Sequence, residues 1–135
     1  MKKIIVSIIA ILIITSNSFS NEMSYEELFN TGLKYHTEKK YRDAEKYYKE
    51  SFMKKEDGDT AYNLGVLFEE TNDRKQAEKY YKEAIKLGKI KAYYNLGYLY
   101  SAQKNKTQAI ENYKKAVELT NNVDAMYNLG LIYSG

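Results

Sequence analysis

The sequence predicts an all-α fold, an α-solenoid of stacked antiparallel helix pairs with about three and a half repeats. The first observation is a recurring tetrapeptide, because Tyr-Asn-Leu-Gly occupies residues 62–65, 94–97 and 127–130. The second is a heptapeptide, Ala-Glu-Lys-Tyr-Tyr-Lys-Glu, which is identical at residues 44–50 and 77–83. The third is the period of four glycines, which lie 33, 32 and 33 residues apart at Gly32, Gly65, Gly97 and Gly130. A period of this length is typical of helical repeat arrays.

The first twenty residues have the pattern of a secretory signal peptide. Lys2 and Lys3 precede an apolar run at residues 4–14, and small polar residues follow it. The run is shorter than the roughly 20 residues that a membrane-spanning helix needs. We therefore predict cleavage after Ser20, export to the periplasm or medium of a bacterium, and no stable membrane insertion of the mature chain. The alternative is an uncleaved N-terminal anchor.

The remaining residues, 21–135, form one predicted repeat domain. Its units lie near residues 24–57, 58–89 and 90–122, with a partial repeat at 123–135. Each full unit has a first and a second helix, and the partial unit has a first helix only. We expect seven helices, near residues 24–37, 41–55, 59–70, 74–87, 90–103, 106–119 and 123–133.

The helices are predicted from the spacing of apolar and small residues. In a first helix, Ala61, Leu64 and Phe68 share one face at i, i+3 and i+7. The corresponding face in the last helix carries Met126, Leu129 and Tyr133, and that of a second helix carries Ala77, Tyr81 and Ala84. Because a glycine inside a helix costs about 1 kcal/mol relative to alanine, its recurrence predicts a neighbouring helix pressed against each of the four glycines.

Polar residues and one further glycine support the helix boundaries. Thr71-Asn72-Asp73 and Asn105 offer N-caps to two of the second helices. Gly88 is suited to end a helix in the left-handed conformation. These residues fall between the predicted helices, as the repeat requires.

The repeat motif resembles that of the tetratricopeptide repeat family, whose units of about 34 residues carry an aromatic residue, Leu-Gly, Tyr, Ala, Phe and Pro in this order. Leu-Gly-x-x-aromatic motifs lie at residues 64–68, 96–100 and 129–133, and Ala-x-x-x-Tyr motifs at 44–48, 77–81 and 109–113. The junction at residues 84–97 resembles that of Sel1-like repeats. Two features depart from the family: Glu56, Lys89 and Asn121 replace its proline, and the repeats are one or two residues short.

The resemblance implies a curved array whose concave groove, lined by the first helices, binds a peptide or a partner protein. The groove residues it implies are Phe29, Leu33, Tyr62, Asn63, Val66, Glu69, Tyr94, Asn95, Tyr98, Ser101, Tyr127, Asn128 and Leu131, with His36 beside them. One hypothesis is a tyrosine-rich strip that holds an extended peptide while the Asn amides bond its backbone. The alternative is that Tyr-Asn-Leu-Gly is only the family consensus and marks no ligand.

Some family members bind a C-terminal carboxylate in this groove with a cluster of Lys, Arg and Asn. Of the five corresponding positions in this sequence, Asn63 and Lys91 fit that cluster, whereas Phe29, Leu33 and Asn95 do not. We therefore expect this carboxylate clamp to be absent.

The composition excludes several classes of site. The chain has no cysteine and a single histidine, His36, so we predict no disulfide, no metal site, no cofactor and no catalytic residues. Without Lys2 and Lys3, nineteen basic side chains stand against eighteen acidic ones. Nucleic-acid binding requires a basic stripe with a net excess of positive charge, so we predict no nucleic-acid partner.

These features predict an exported scaffold or adaptor that binds a protein or peptide partner, and not an enzyme. The alternative is a module that binds carbohydrate or peptidoglycan in the cell envelope. The identity of the partner and the oligomeric state stay open at this point. Three roles are also open for the last helix: it covers the third repeat by itself, it continues into further repeats, or it docks a partner.

Overall fold

The computed structural model describes residues 22–135, so the predicted signal peptide at residues 1–20 lies outside the described residues. Seven helices and no strand occur in this described part of the chain. They are α1 (Tyr25–Thr37), α2 (Tyr41–Lys54), α3 (Gly58–Glu70), α4 (Arg74–Lys86), α5 (Ala92–Ala102), α6 (Lys106–Thr120) and α7 (Val123–Ser134). The predicted all-α fold is confirmed, and every helix boundary lies within two residues of the expected position.

The helices form three antiparallel pairs, α1/α2, α3/α4 and α5/α6, which stack in chain order, and α7 packs on α6. The first helices form one layer, in which Tyr62 of α3 reaches Asn95 of α5. The second helices form the other layer, in which Phe52 of α2 meets the ring of Tyr80 of α4 edge-on. Between residues 22 and 135, no helix combines the length and the apolar character needed to cross a bilayer.

The turn inside each pair has the same backbone conformation in all three repeats. Lys39, Asn72 and Lys104, each seven residues after the repeat glycine, have φ angles of 59°, 63° and 59°. The second helix starts two residues later in each repeat. In α4 and α6 the residue just before the helix caps it with its side chain. Asp73 and Asn105 each accept a hydrogen bond of 3.2 Å from the backbone N–H three residues further on. The two predicted N-caps are therefore present.

In the three full repeats, the repeat glycine lies against a buried tyrosine ring of the paired helix. A Cβ atom on Gly65 would lie 2.5 Å from Cδ1 of Tyr81, closer than real Cβ atoms approach any neighbour. The other two pairs are Gly97 with Tyr113 and Gly32 with Tyr48. The close approach of two helices therefore explains why glycine recurs at this position in the three full repeats.

The expectation of a helix pressed against all four glycines is wrong at Gly130. No atom lies within 4 Å of a Cβ built on this residue. Tyr133 is 61% exposed, whereas Phe68 and Tyr100 at the same repeat position are 6% and 3% exposed. The reason is that α7 keeps the interior pattern of a first helix while no described element covers this face.

Helix α5 begins at Ala92, two residues after the position that the sequence predicts. The backbone N–H groups of Ala92 and Tyr93 bond the carbonyls three residues earlier, at 3.1 Å each. Lys91 stands at the N-cap position, and its side chain makes no capping hydrogen bond. A lysine side chain has no hydrogen-bond acceptor. The backbone N–H groups of the first turn therefore find their partners through the tighter i→i+3 bonds.

The structure also explains one replacement of the family's proline. Asn121 ends α6 with a φ angle of 50°, in the left-handed region. Proline is fixed near −65° and is excluded from this conformation, whereas asparagine is among the residues that tolerate it. Gly88 follows α4 with a φ angle of 90°, so it ends this helix with a positive φ angle, as predicted.

Candidate functional site

The first helices, α1, α3, α5 and α7, form the surface that the sequence assigns to a partner, which is called the groove surface below. Five of its predicted residues are exposed: Leu33, Tyr98, Ser101, Tyr127 and Leu131. The other eight are half-buried: Phe29, Tyr62, Asn63, Val66, Glu69, Tyr94, Asn95 and Asn128. The predicted set therefore divides into accessible side chains and side chains that form the floor between them.

Aromatic rings at one repeat position form the floor of the groove surface. Tyr62 packs on the buried ring of Tyr81, with ring centroids 5.9 Å apart and planes at 51°. Tyr94 packs in the same way on Tyr113, at 5.9 Å and 48°. The remaining pair is Phe29 and Tyr48, with centroids 5.8 Å apart. Each floor ring packs on the buried tyrosine beneath it. The floor rings therefore have a packing role in addition to their predicted role in ligand binding.

A chain of hydrogen bonds crosses this floor between the second and third repeats. The Tyr81 hydroxyl donates to Oε2 of Glu69 at 2.6 Å and accepts from Nδ2 of Asn95 at 3.3 Å. The Tyr62 hydroxyl donates to Oδ1 of Asn95 at 3.3 Å. Burial raises the pKa of Tyr81 and of Tyr62 above the ordinary tyrosine value, so both hydroxyls keep their protons. The amide of Asn95 therefore joins α5 to both helices of the second repeat.

The two residues that fit the carboxylate clamp have partners within the chain. Nζ of Lys91 lies 4.0 Å from the ring centroid of Tyr62, which is a cation–π contact. Nδ2 of Asn63 donates to the carbonyl of Asp59 in the same helix at 2.9 Å. Neither side chain is poised in this structure as a free donor for a terminal carboxylate.

The residue four positions after the repeat glycine meets the buried tyrosine hydroxyl, a role that the sequence analysis missed. Glu69 accepts from Tyr81 in the second repeat, and Nδ1 of His36 lies 3.2 Å from the Tyr48 hydroxyl in the first. Nε2 of His36 lies 2.9 Å from Oε2 of Glu70, so this histidine also links α1 to α3. The available signal was positional, since residues 36, 69 and 101 are polar at one point of the period.

Both ring nitrogens of His36 are therefore occupied by protein partners. Within residues 22–135, no group of three His, Cys, Asp or Glu side chains could hold a metal ion.

Two cavities flank the groove surface between α1 and α3. The larger, of about 460 Å³, is lined by Leu33, His36, Thr37, Lys39, Tyr41, Asn63 and Glu70. The smaller, of about 310 Å³, is lined by Tyr25, Glu26, Phe29, Asn30, Lys55, Asp57, Asp59 and Thr60. Each is lined by apolar or aromatic side chains together with charged ones. This combination suits a side chain with an apolar stem and a polar tip.

Comparison with known protein families identifies the type of repeat. The tetratricopeptide repeat matches residues 58–87 and again residues 90–120. These two matches confirm the resemblance to the tetratricopeptide repeat family. The Sel1 repeat matches residues 123–135, which lie one repeat beyond the junction that suggested Sel1-like features. No curated protein matches the sequence.

Several solved structures share the fold of this chain. The first TPR of Spaghetti (RPAP3), bound to the HSP90 peptide SRMEEVD, is 23% identical over 82% of this chain and 91% of its own, with a TM-score of 0.75. A crystal structure of MamA is 24% identical over 90% of this chain and 73% of its own, with a TM-score of 0.78. The Arabidopsis OM64 TPR domain is 20% identical over 82% of this chain and 95% of its own, with a TM-score of 0.75.

Proposed function

We propose that this tetratricopeptide repeat protein is an exported scaffold that binds a peptide or partner protein on its groove surface. The observation that carries the proposal is the exposure of Leu33 and Tyr98 on first helices of the array. Each follows a ring of the half-buried floor by four residues in its own helix, and Leu33 also lines the larger cavity. Large apolar side chains that line a concave site beside polar groups are typical of surfaces that hold a ligand.

The floor provides a rigid base for such a ligand. Tyr62 and Tyr94 are held by the buried tyrosines below them, and Asn95 fixes the second repeat against the third. A surface that is ordered before binding loses less conformational entropy when the partner arrives. In this proposal, the partner's apolar side chains contact Leu33 and Tyr98, and the floor sets their spacing.

The Spaghetti domain supports peptide binding by this fold, because its structure contains the HSP90 peptide SRMEEVD. The chemistry proposed for the present chain is different. Lys91 is engaged with Tyr62, and the carboxylates of Glu69 and Glu70 lie close to the groove surface. A strongly acidic peptide would meet like charges there. We therefore expect a partner segment that is mainly apolar and not acidic.

Export is the second part of the proposal, and it rests on the basic, apolar and small-polar segments of residues 1–20. Determining the N-terminal residue of the protein recovered from the periplasm or medium tests it. A chain that begins at Asn21 agrees with the proposal. A chain found only in the cytoplasm would refute export and leave the groove proposal to its own test.

A photocrosslinking amino acid placed at Leu33 or at Tyr98 tests the groove assignment in intact cells. Matched control sites are Met53 and Leu119, which are exposed apolar residues on the second helices α2 and α6. We expect one defined protein to crosslink from both groove sites and from neither control site. Equal crosslinking from all four sites, or from the control sites alone, would refute the assignment.

The carbohydrate alternative is separated by a different readout. If the purified chain pellets with cell-wall sacculi and Tyr98→Ala abolishes the pelleting, the exposed tyrosine stacks on sugar instead. In that case the groove sites crosslink to no protein. The peptide SRMEEVD serves as a negative control in solution, because we expect no measurable binding of it.

A further inference from the structure

The position just before the buried tyrosine of each second helix is aromatic in two repeats and polar in the third. Tyr47 of α2 stacks on Tyr35 of α1, with ring centroids 5.4 Å apart and planes at 14°. Tyr80 of α4 stacks on Phe68 of α3 in the same way, at 5.6 Å and 12°. In α6 this position is occupied by Asn112. The third repeat therefore lacks the ring that the first two repeats place between their helices.

A cavity of about 280 Å³ lies at the corresponding place in the third repeat, among α4, α5 and α6. Its lining includes Asn112 together with Tyr100 and Ile85. The last two are the repeat equivalents of the residues on which Tyr80 packs, its stacking partner in α3 and its edge-on partner in α2. The cavity therefore occupies the space that a ring at position 112 would fill. All of its lining residues lie within the second and third repeats.

Asn112 also supplies a hydrogen-bond acceptor to this cavity. The residue is 8% exposed, and its Nδ2 donates to the carbonyl of Gln108 at 2.9 Å. Its Oδ1 accepts no hydrogen bond from another residue between 22 and 135. Since every side-chain oxygen that is closed to solvent in this part of the chain has a partner, solvent reaches this Oδ1. A phenol has the matching chemistry, an apolar ring and a hydroxyl that donates.

The charged groups of the lining favour a neutral occupant. Nζ of Lys82 donates to Oε1 of Glu78 at 2.6 Å, and Nζ of Lys115 lies 5.5 Å from the ring centroid of Tyr93. Both cations therefore have partners within the chain. The carboxylate of Glu111 also lines the cavity, so an anionic ligand would meet a like charge there.

We propose that this cavity binds the side chain of a tyrosine that a partner protein presents. Its ring occupies the space that the ring of Tyr80 fills one repeat earlier, and its hydroxyl donates to Oδ1 of Asn112. The size agrees with one side chain, because a cavity of about 150 Å³ holds a benzene ring and pockets for drug-sized ligands begin at about 300 Å³. Tyrosine is also a common anchor residue in protein interfaces.

This inference goes beyond the groove proposal, because no residue of the groove surface lines the cavity. The control sites of the groove experiment, Met53 and Leu119, do not line it either. The two proposals can therefore fail separately.

The first test uses p-cresol, which is the tyrosine side chain as a free molecule. It is titrated into the purified chain and followed by NMR, and we expect saturable shifts of the methyl signals of Ile85 and Leu96, which line the cavity. Asn112→Tyr supplies the ring from the chain itself, so it should raise the dissociation constant of p-cresol at least about tenfold. Its melting temperature should equal or exceed that of the wild type, because the added ring fills a cavity.

The matched control is Lys114→Tyr, which adds a tyrosine at an exposed position of α6 outside the cavity. This variant is expected to bind p-cresol as the wild type does. Absence of saturable shifts in the wild type, or an unchanged dissociation constant in Asn112→Tyr, would overturn the proposal.

The reverse variant tests the role of the ring without changing the third repeat. Tyr80→Asn removes the ring that packs between the first and second repeats. We expect a second binding site for p-cresol, with shifts of the methyl signals of Leu64, the repeat equivalent of Leu96. A folded Tyr80→Asn variant without this second site would contradict the equivalence of the two places.

Photocrosslinking in cells distinguishes a protein partner from a free phenolic compound. The crosslinking amino acid is placed at Gln108, an exposed residue of the cavity lining. We expect a defined protein to crosslink through a segment that contains a tyrosine, and we expect Asn112→Tyr to abolish this crosslink. Binding of p-cresol without any protein crosslink that Asn112→Tyr abolishes would overturn the assignment to a partner protein.

Discussion

The Nδ2 atom of Asn95 on α5 lies 3.3 Å from the hydroxyl of Tyr81, the buried tyrosine of the second repeat. This hydrogen bond connects the groove surface of the third repeat to the core of the second. Since the same amide also accepts from Tyr62, one asparagine at the surface fixes the relation between two repeats. The shape of the groove floor therefore depends on a residue that the sequence assigned to the ligand.

Replacement of Asn95 by alanine is expected to lower the free energy of unfolding by about 1 kcal/mol, because two tyrosine hydroxyls lose a partner. Urea denaturation followed by circular dichroism measures the change. Asn63→Ala is the control, since the Asn63 amide bonds a carbonyl of its own helix, and we expect little or no loss. Adding Tyr81→Phe to Asn95→Ala should cost less than the sum of the single changes by about 0.5–1 kcal/mol. Full additivity would contradict the coupling.

The repeat glycines are expected to differ in their response to alanine. Gly97→Ala places a methyl group against the buried ring of Tyr113, so we expect a net loss of about 1–3 kcal/mol in unfolding free energy from overpacking. Gly130→Ala meets open space, and the better helix propensity of alanine should stabilise the chain by up to about 1 kcal/mol. Thermal denaturation of the two variants at low concentration compares them directly. Equal losses would contradict the difference in packing.

The buried tyrosines predict a loss of stability at high pH. Burial raises the pKa of Tyr48 and of Tyr113 to about 12. In the unfolded chain these groups ionise near the ordinary value of 10.0, so the unfolded state releases protons first. The contribution of the two buried tyrosines to the free energy of unfolding is complete below the ordinary pKa. It is lost as the pH rises through the raised pKa of the folded chain.

Absorbance of phenolate near 295 nm should therefore show a late group of tyrosines, whose ionisation coincides with unfolding. Tyr113→Phe should reduce the loss of stability between pH 10 and 12, because phenylalanine has no proton to release. Ionisation of all tyrosines in a single step before any unfolding would contradict the assignment.

Glu78 predicts a smaller effect in acid. The Lys82 ammonium at 2.6 Å, and then the Tyr100 hydroxyl at 2.7 Å, hold the pKa of this carboxyl below its ordinary value. The contribution of the ionised Glu78 to the free energy of unfolding is complete above the ordinary glutamate pKa. It is lost as the pH falls through the lowered pKa. Because the pair is partly exposed, we expect Glu78→Gln to cost only about 0.5 kcal/mol at neutral pH.

The difference between wild type and Glu78→Gln should disappear in acid denaturation profiles at low pH. Glu118→Gln, at an exposed site on α6, is the control and should match the wild type throughout. A difference that persists unchanged at low pH would show that the effect is not due to ionisation of Glu78.

The fold was predictable because its determinants lie within single repeats. The glycine, the tyrosine of the paired helix and the apolar face recur at fixed offsets, so periodicity alone located every helix. Gly130 was not distinguishable in this way, because its sequence context repeats that of Gly97 and only the absence of a covering helix sets it apart.

The repeat predicted where the side chains assigned to the groove lie on the first helices. It predicted less well which other side chains they contact. The hydrogen bonds of Asn95 join side chains from different repeats, and no spacing within one repeat reveals them. The same holds for the contact of His36 with Glu70 of the next repeat. These contacts depend on how one repeat rotates against the next, and that rotation is a property of the assembled array.

The most direct test of the groove proposal is the affinity of the crosslinked partner for three forms of the chain. The groove variant carries Leu33→Lys and Tyr98→Lys, and the matched control carries Met53→Lys and Leu119→Lys. All four sites are exposed, so both variants should fold and carry the same added charge. We predict that the groove variant weakens binding by at least about thirtyfold, while the control binds as the wild type does. Equal affinity of the groove variant and the wild type would contradict the proposal.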